Sequence, residues 1–249
     1  MDKIVADMHT HTLVSGHAFS TLQENLRAAS ERGLQFVAAT EHGPAMPGAP
    51  HKWYFSNMRV LPRELYGVRL IKGVEANLMN VAGDLDLEER LLANLEYVAV
   101  GFHEDCIQPG SQEENTAALL NAIANPLVDT VVHPGNPRFP IDFPRVLAAA
   151  AEQGVLVEIN NSSLISSRIG SEEFCREIAS LAARHGYRVV LGSDAHWWGD
   201  VGNLSRALEL ARSAGIPDEN ILNLSVARVE SFIDERLARK TSGKRIALK

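Results

Sequence analysis

Short apolar runs alternate with amphipathic stretches along most of the chain. Seven runs are rich in Val, Ile, Leu and Phe and have the length of buried strands. They cover residues 4–8, 36–40, 69–74, 97–102, 130–132, 155–159 and 188–191. Apolar positions recur at helical spacing over 21–32, 113–124, 143–152 and 171–185, and two closing helices are predicted at 204–214 and 225–240. The pattern therefore predicts alternating strands and helices.

This alternation predicts an α/β fold with a parallel sheet, either closed into a barrel or left open as a doubly wound sheet. Polar side chains follow nearly every apolar run, and a barrel brings such strand ends to one point. We therefore predict a seven-stranded β/α barrel that forms one domain over residues 1–240. The short basic tail 241–249 has little to bury and is expected to be disordered. The segment 43–57, rich in Pro, Gly and aromatic residues, is expected to act as a lid.

Composition narrows the class of protein. A chain of 249 residues with 45% hydrophobic residues can bury one sizeable core. The formal charge of −7 argues against long nucleic acids and anionic membranes as partners. Cys106 and Cys175 lie outside any paired motif, which predicts reduced thiols in a cytoplasmic protein. No stretch has the length of a signal peptide's apolar region or of a membrane span, so no membrane association is expected.

Histidines and carboxylates supply the candidate chemistry, because most of them follow the apolar runs. His9 and His11 are two residues apart and would point the same way in a strand. Neutral imidazole and carboxylate are usual ligands of zinc, manganese and iron. The joint pattern predicts a polynuclear metal site. Its candidate ligands are His9, His11, His17, His42, Glu75, His103, His133, Asp194 and His196.

Other polar residues admit a functional and a structural interpretation. Arg168 precedes a predicted helix, where an arginine can clamp a phosphate or form a salt bridge at the rim. His51, in the predicted lid, is either a solvated loop histidine or a contact to substrate. The segment 158–163 can hydrogen-bond a ligand or fix the barrel rim. Glu104 is expected beside the ligands or in solvent, and His185 is expected to stabilise a helix C-terminus.

The segments that carry these residues resemble the PHP (polymerase and histidinol phosphatase) family, and most closely its YcdX-like phosphatases. The matching segments are 7–12, 40–44, 73–77, 101–104, 133–137, 158–163, 168–171 and 192–196. The resemblance implies a distorted seven-stranded β/α barrel that holds three divalent ions, usually Zn²⁺, with Mn²⁺ or iron in some members. It also implies a homo-oligomer.

The same resemblance implies a distribution of ligands over three ions. The first ion would be held by His9, His11, Glu75 and Asp194, the second by Glu75, His103 and His133, and the third by His17, His42 and His196. Glu75 would bridge the first two ions. Glu41 departs from the family, which more often has aspartate before the histidine, and we do not count it as a ligand.

These observations predict a metal-dependent phosphatase that cleaves small phosphomonoesters with a metal-bridging hydroxide, for which Glu75 and Asp194 are the catalytic candidates. Arg168 and His51 are the candidates for substrate binding. A phosphodiesterase or nuclease and a histidinol-phosphate phosphatase are the alternatives among enzymes. A non-catalytic metal-binding protein is the alternative from another class, but structural zinc sites are usually closed and rich in cysteine.

Overall fold

The structure, a computed structural model, describes residues 3–247. Eight strands are formed: β1 (Ala6–Thr10), β2 (Phe36–Ala39), β3 (Glu64–Leu65), β4 (Val68–Asn77), β5 (Tyr97–Gly101), β6 (Thr130–Val131), β7 (Leu156–Asn160) and β8 (Val189–Gly192). The helices are α1 (Leu22–Glu31), α2 (Trp53–Asn57), α3 (Glu89–Leu92), α4 (Gln112–Ala124), α5 (Phe143–Gln153), α6 (Ser171–His185), α7 (Ser205–Ser213) and α8 (Val226–Ala247).

Seven of the strands are parallel and form a nearly closed barrel in the order β1-β2-β4-β5-β6-β7-β8. The prediction of a seven-stranded β/α barrel is confirmed. The pairing is irregular in β1, whose register with β2 shifts between Asp7 and Thr10, and β6 contributes only two residues. Strand β3 is an addition that the apolar pattern did not predict, since it is a two-residue strand that pairs antiparallel with the start of β4.

The barrel closes between β8 and β1 through a few specific contacts. At the carboxyl ends of these strands, the N–H of His11 donates to the carbonyl of Ala195 at 2.9 Å, and the N–H of Asp194 donates to the carbonyl of His9 at 2.9 Å. These bonds fix the ends of β1 and β8 beside each other. They also set three candidate ligands, two from β1 and one from β8, at the same edge.

At the opposite end, one side chain replaces the missing ladder between β1 and β8. The buried Asn223 accepts a hydrogen bond from the N–H of Leu191 at 2.7 Å and donates to the carbonyls of Ala6 and Leu191 at 2.9 and 2.8 Å. Its own carbonyl accepts from the N–H of Val5 at 2.8 Å. Strand-like hydrogen bonding therefore continues across the gap.

Capping residues mark the ends of several helices. Thr21 and Glu24 form the capping box of α1, and Ser111 and Glu114 form an equivalent one for α4. Helix α6 ends at His185 and is followed by Gly186 in the left-handed conformation, which satisfies its last carbonyls. The predicted structural place of His185 is therefore confirmed.

Helix α8 packs across the amino end of the barrel through a buried ion cluster. Asp129 accepts hydrogen bonds from Arg236 at 2.7 Å and from Lys240 at 2.5 Å, and the three side chains are buried. The sequence predicts that this helix ends at Lys240, but it extends to Ala247, so the predicted tail begins as helix. Thr241 is tolerated within the helix, where its hydroxyl donates to the carbonyl of Leu237 at 2.8 Å. The last two tail residues, 248 and 249, lie outside the described residues.

The segment 43–57 is anchored at its start and ordered at its end. Asp86 accepts hydrogen bonds from the N–H groups of Ala45 and Asn77, both at 2.9 Å, and so ties the segment to the end of β4. Its last residues form α2, from which Trp53 projects with 74% of its surface exposed. Among the described residues, no helix combines the length and the hydropathy needed to cross a bilayer.

Candidate metal centre

Nine candidate ligands converge at the carboxyl ends of the parallel strands. Each lies in the last residues of a strand or in the loop that follows it, at the carboxyl face where parallel strands of a barrel present their functional groups. The ligands come from β1 (His9, His11 and His17), β2 (His42), β4 (Glu75), β5 (His103), β6 (His133) and β8 (Asp194 and His196).

Glu75 lies at the centre of this group. Its Oε1 is 3.0 Å from Nε2 of His103 and 2.6 Å from Nε2 of His133. Its Oε2 is 2.8 Å from Nδ1 of His42 and 3.4 Å from Nε2 of His11. The carboxylate is fully buried. Each of its two oxygens therefore faces a different subset of imidazoles.

Asp194 lies beside His9 and His11, the two histidines at the end of β1. Its Oδ1 is 3.3 Å from Nε2 of His11 and 3.7 Å from Nε2 of His9, and these two nitrogens are themselves 3.1 Å apart. The Nδ1 of His196 lies 3.6 Å from the same oxygen. Its Oδ2 accepts a hydrogen bond from Arg168 at 2.9 Å. The structure therefore brings Arg168 to the edge of the group, where its side chain is 17% exposed.

A third set of imidazoles lies nearer the surface. Nε2 of His17 and Nε2 of His196 are 3.0 Å apart, and the ring of His17 stacks 5.1 Å from that of His42. The ring of His11 lies 4.4 Å from that of His42 and 4.5 Å from that of His196. His17 is exposed, whereas His42 is buried. This set would be the first that a solvent-borne ligand meets.

The arrangement fits bound cations better than it fits hydrogen bonding alone. His42 Nδ1 and Glu75 Oε2 are buried and 2.8 Å apart, yet neither forms a hydrogen bond, and His103 Nδ1 also lacks a partner. Buried polar atoms without partners are costly, and a metal ion would satisfy them. Three groups have donor atoms within 4.8 Å of one another: His9, His11 and Glu75; His42, Glu75 and His103; and His11, His42 and His196.

The carboxylates in this group are held in the anionic form that binds metals. Burial acts to raise the pKa of Glu75, but the neighbouring imidazoles of His42, His103 and His9 hold it well below its usual range. Burial likewise acts to raise the pKa of Asp194, and the charges of His9 and Arg168 hold it well below its usual range. Both side chains therefore offer anionic oxygens at neutral pH.

Most of the imidazoles are held in the neutral form. Burial, together with the charge of His42, lowers the pKa of His11 well below its ordinary value. Burial and the nearby Arg168 lower the pKa of His133 to about 4. His9 differs, because burial acts to lower its pKa but the carboxylates around it, Glu158 first, raise it well above the ordinary value. A cation at this place would take over the positive charge that a proton supplies on His9.

The backbone is strained at three residues of the site. His133, Arg168 and Asp194 have φ values of 34°, 49° and 56°, in the left-handed region that non-glycine residues rarely occupy. Each such residue costs on the order of 1–3 kcal/mol, and such strain clusters at functional sites. Of the four described non-glycine residues with positive φ, only Tyr66 lies elsewhere. The strained backbone therefore lowers the stability of the fold, and it sets the direction of these three side chains.

Glu158 contributes to the site; the sequence left a functional and a structural interpretation open for its segment, 158–163, and did not include it among the candidate ligands. Its Oε1 is 2.8 Å from Nδ1 of His9, and its Oε2 accepts hydrogen bonds from the N–H of His133 at 2.7 Å and from Asn160 at 3.1 Å. A carboxylate in this position orients an imidazole ligand and fixes its tautomer. The available signal was the period of two in β7, which places Glu158 and Asn160 on the same face.

Two other polar residues remain outside the group. His51 is exposed, and its contacts are with Trp53: Nδ1 accepts the N–H of Trp53 at 3.3 Å, and the two rings lie 5.5 Å apart. The structure does not bring His51 to the candidate ligands. Glu104 is exposed and forms a two-pronged ion pair with Arg138 at 2.9 and 3.1 Å. It is solvated, one of the two places expected for it.

The loops around the site present apolar side chains to solvent. Eight of the ten exposed large hydrophobic residues in the described part of the chain belong to the segments that follow β1, β2, β7 and β8. They form what we call the apolar rim, which consists of Leu13, Phe19, Trp53, Val60, Ile165, Ile169, Trp197 and Trp198.

Solved structures resemble the fold of this chain at low sequence identity. Histidinol phosphate phosphatase of Lactococcus lactis, solved with Zn, L-histidinol and phosphate, superimposes with a TM-score of 0.60 and 17% identity, covering 86% of this chain and 95% of that one. A protein of Listeria monocytogenes described as a putative histidinol phosphatase gives a TM-score of 0.58 at 18% identity, covering 79% of this chain and 97% of that one. These similarities support the barrel fold.

Sequence relatives are much closer, although no protein-family model matches the chain. A probable phosphatase of Caldanaerobacter subterraneus is 49% identical over 242 residues, which cover 97% of this chain and 95% of the relative. A probable phosphatase of Acetivibrio thermocellus is 46% identical over 241 residues, covering 96% of this chain and the whole relative. This chain therefore belongs to the protein family that includes these probable phosphatases.

Proposed function

We propose that the protein is a metal-dependent phosphatase that hydrolyses small phosphomonoesters at a centre for three divalent ions, with Zn²⁺ as the proposed metal and Mn²⁺ or iron as alternatives. The observation that carries the proposal is Glu75, a fully buried carboxylate whose two oxygens face imidazoles from four different strands. The names of the two sequence relatives given above agree with a phosphatase. The likeness to the PHP family in its YcdX-like branch is part of the same proposal.

Three subsets of the site would hold the ions. His9, His11, Glu75 and Asp194 would form the first subset, Glu75, His103 and His133 the second, and His17, His42 and His196 the third. Bound divalent ions at such a site lower the pKa of water and neutralise charge on phosphoryl oxygens. The second and third subsets supply three protein ligands each, so they leave positions open for substrate.

The protein's own side chains would bind and orient the phosphoryl group. Arg168 lies at the edge of the ligands with Nη1 on Asp194, and its guanidinium can bind a phosphate oxygen in the same plane. Ser163 and Ser167 lie 3.4 and 3.1 Å from the same nitrogen and hold it in place. Phosphate would therefore be bound beside Asp194. His51, which is exposed, stays a proposal as a further contact to the substrate.

The surroundings of the site favour a small organic phosphate over a polynucleotide. A polynucleotide surface needs basic side chains that track several phosphates. The apolar rim instead offers aromatic and aliphatic surface, and the chain carries a formal charge of −7. A phosphodiesterase or nuclease therefore ranks second. A histidinol-phosphate phosphatase has a specific observation in its favour, since the neighbour from Lactococcus lactis holds L-histidinol and phosphate in the same fold.

Phosphate release by the zinc-loaded protein tests the proposal. The protein is assayed on a panel of monoesters that includes histidinol phosphate, on a dinucleotide and on an oligonucleotide, before and after removal of metal by a chelator. We expect monoester hydrolysis that disappears with the metal and returns with Zn²⁺ or Mn²⁺. Faster cleavage of the oligonucleotide would replace the proposal by the diesterase. Tight metal uptake with no hydrolysis of any substrate would favour a non-catalytic metal-binding protein.

A further inference from the structure

The buried side chain of Ser15 connects the candidate ligands to a carboxylate that does not face them. Ser15 and Glu41 are both 0% exposed. The Oγ of Ser15 donates to Oε2 of Glu41 at 2.7 Å, accepts the N–H of His42 at 3.1 Å and lies 3.3 Å from Nδ1 of His11. This one hydroxyl therefore touches two of the imidazole residues at once.

Local sequence explains why Ser15 reaches this place. Residues Leu13–Ser15 form a single turn of 3-10 helix directly after β1, capped by Thr12, whose side chain accepts the N–H of Val14. Such a turn folds the chain back, so that Ser15 lies under His11, four residues earlier. The turn ends at Gly16, whose φ of 82° and contact with Gly48 leave no room for a side chain.

Glu41 is held as an acceptor by several donors. Its Oε2 accepts the backbone N–H of Thr12 at 3.0 Å, and its Oε1 accepts the hydroxyl of Thr12 at 2.7 Å. A backbone N–H can only donate, so Oε2 of Glu41 is an acceptor and the proton of Ser15 points towards it.

The direction of these bonds fixes the tautomer of His11. The hydroxyl proton of Ser15 is donated to Glu41, which is the shortest contact of this hydroxyl. The hydroxyl oxygen already accepts the N–H of His42. The remaining lone pair of the oxygen faces Nδ1 of His11. That nitrogen must therefore carry the ring proton, and Nε2, which lies 3.3–3.4 Å from Asp194 and Glu75, keeps the free lone pair that a metal requires.

We infer that Glu41 and Ser15 are positioning residues of the metal centre, which present Nε2 of His11 as a ligand and fix the backbone of His42. The inference rests on the proposed metal centre and extends it by two residues that are not ligands. Glu158 does the same for His9 through a direct contact of 2.8 Å. The contacts from Glu41 through Ser15 to His11 would then be a longer version of that arrangement, in which the carboxylate acts on the ligand through a hydroxyl.

Zinc affinity tests the inference independently of activity. Ser15→Ala and Glu41→Gln are compared with wild type in competition between the protein and a zinc chelator. We expect about 10–100-fold weaker zinc binding in both variants, the usual range for residues that orient metal ligands. Ser20→Ala is the matched control, because Ser20 is buried in the same loop and accepts the N–H of Trp198 at 2.7 Å without touching an imidazole. It should bind zinc as wild type does.

A spectroscopic measurement on the wild-type protein keeps the inference testable even where a variant folds poorly. In nitrogen-15 NMR of the zinc-loaded protein, His11 should carry its proton on Nδ1 and that proton should exchange slowly, because Ser15 is buried. A proton on Nε2, or zinc affinity in Ser15→Ala equal to that of Ser20→Ala, would overturn the inference. Failure of wild type to bind zinc would overturn the metal centre as well. Normal zinc effects without phosphatase activity would refute only the proposed function.

Discussion

At the scale of single residues, the site depends most on Glu75. Its position near the carboxyl end of β4 lies within the paired part of the strand, and its two oxygens face separate sets of imidazoles. A buried anion of this kind is destabilising unless cations surround it. The same carboxylate therefore accounts for the electrostatic cost of the site, and it would bridge two ions of the proposed centre.

Replacing Glu75 by glutamine should remove the negative charge of the side chain and keep its volume. We expect loss of at least one bound ion and loss of monoester hydrolysis, because the amide offers one neutral oxygen where two anionic ones stood. Metal content by elemental analysis and phosphate release measure the two effects. Glu104→Gln is the control, since Glu104 is exposed at the end of β5 and pairs only with Arg138 among the contacts above. Full activity and metal content in Glu75→Gln would refute the bridging role.

Arg168 should act on substrate binding more than on metal binding. In Arg168→Lys the positive charge remains but the planar fork is lost, so a phosphate would lose a hydrogen bond to a charged group worth roughly 1.5–3 kcal/mol. We expect KM for a monoester to rise about tenfold to hundredfold, with zinc content unchanged. Arg138→Lys, at an exposed ion pair outside the site, is the control. A lost ion or an unchanged KM in Arg168→Lys would show that Arg168 supports the fold only.

At the scale of elements, one amide supports the closure of the barrel at the end away from the candidate ligands. Asn223 makes three side-chain hydrogen bonds to the facing edges of β1 and β8, which form no regular ladder with each other. Hydrogen bonds at a buried strand edge have no water to replace them. The alignment of His9 and Asp194 at the other end of the same two strands follows from this closure.

Asn223→Ala should therefore destabilise the fold markedly. Removing the amide leaves backbone groups of Leu191 and Ala6 without these partners, at about 1–3 kcal/mol for each buried group left unsatisfied. We expect the free energy of unfolding in urea to fall by about 2–5 kcal/mol. Asn220→Ala, which removes one half-buried hydrogen bond to the carbonyl of Gly186, should cost less than about 1 kcal/mol. Equal stability of the two variants would mean that Asn223 does not close the barrel.

The elements differ in how far the sequence predicts them. Periodic apolar runs predicted the seven barrel strands and most helices, because burial of a continuous face leaves a repeating pattern. Asn223 and the two-residue strand β3 carry no such pattern, since their roles depend on partners far along the chain. The contact of Ser15 with His11 is likewise visible only once the 3-10 turn is formed. The predicted strand ends indicated where the candidate ligands gather. They did not indicate which side chains orient those candidate ligands.

At the scale of the whole molecule, the site joins strands that are distant in the sequence. The candidate ligands belong to six of the seven barrel strands and their loops, and Glu158 adds the seventh. Repulsion among imidazoles and the strained backbone of His133, Arg168 and Asp194 oppose this gathering. Ions that bind only the folded chain would offset these costs, so that metal binding and folding are coupled.

Removing divalent ions should therefore lower the melting temperature of the protein. Zinc at 100 times its dissociation constant stabilises a fold by about 2.7 kcal/mol, and a chain of this length shifts by roughly 2–4 °C per kcal/mol, so a fall of roughly 5–10 °C is expected. Calorimetry with and without a chelator measures it, and added zinc should restore the original value. Glu75→Gln, which lacks the bridging anion, should respond much less to the chelator. An unchanged melting temperature in wild type would mean that the nine candidate ligands are already held together without metal. The barrel alone would then offset the unfavourable free energy of bringing them together.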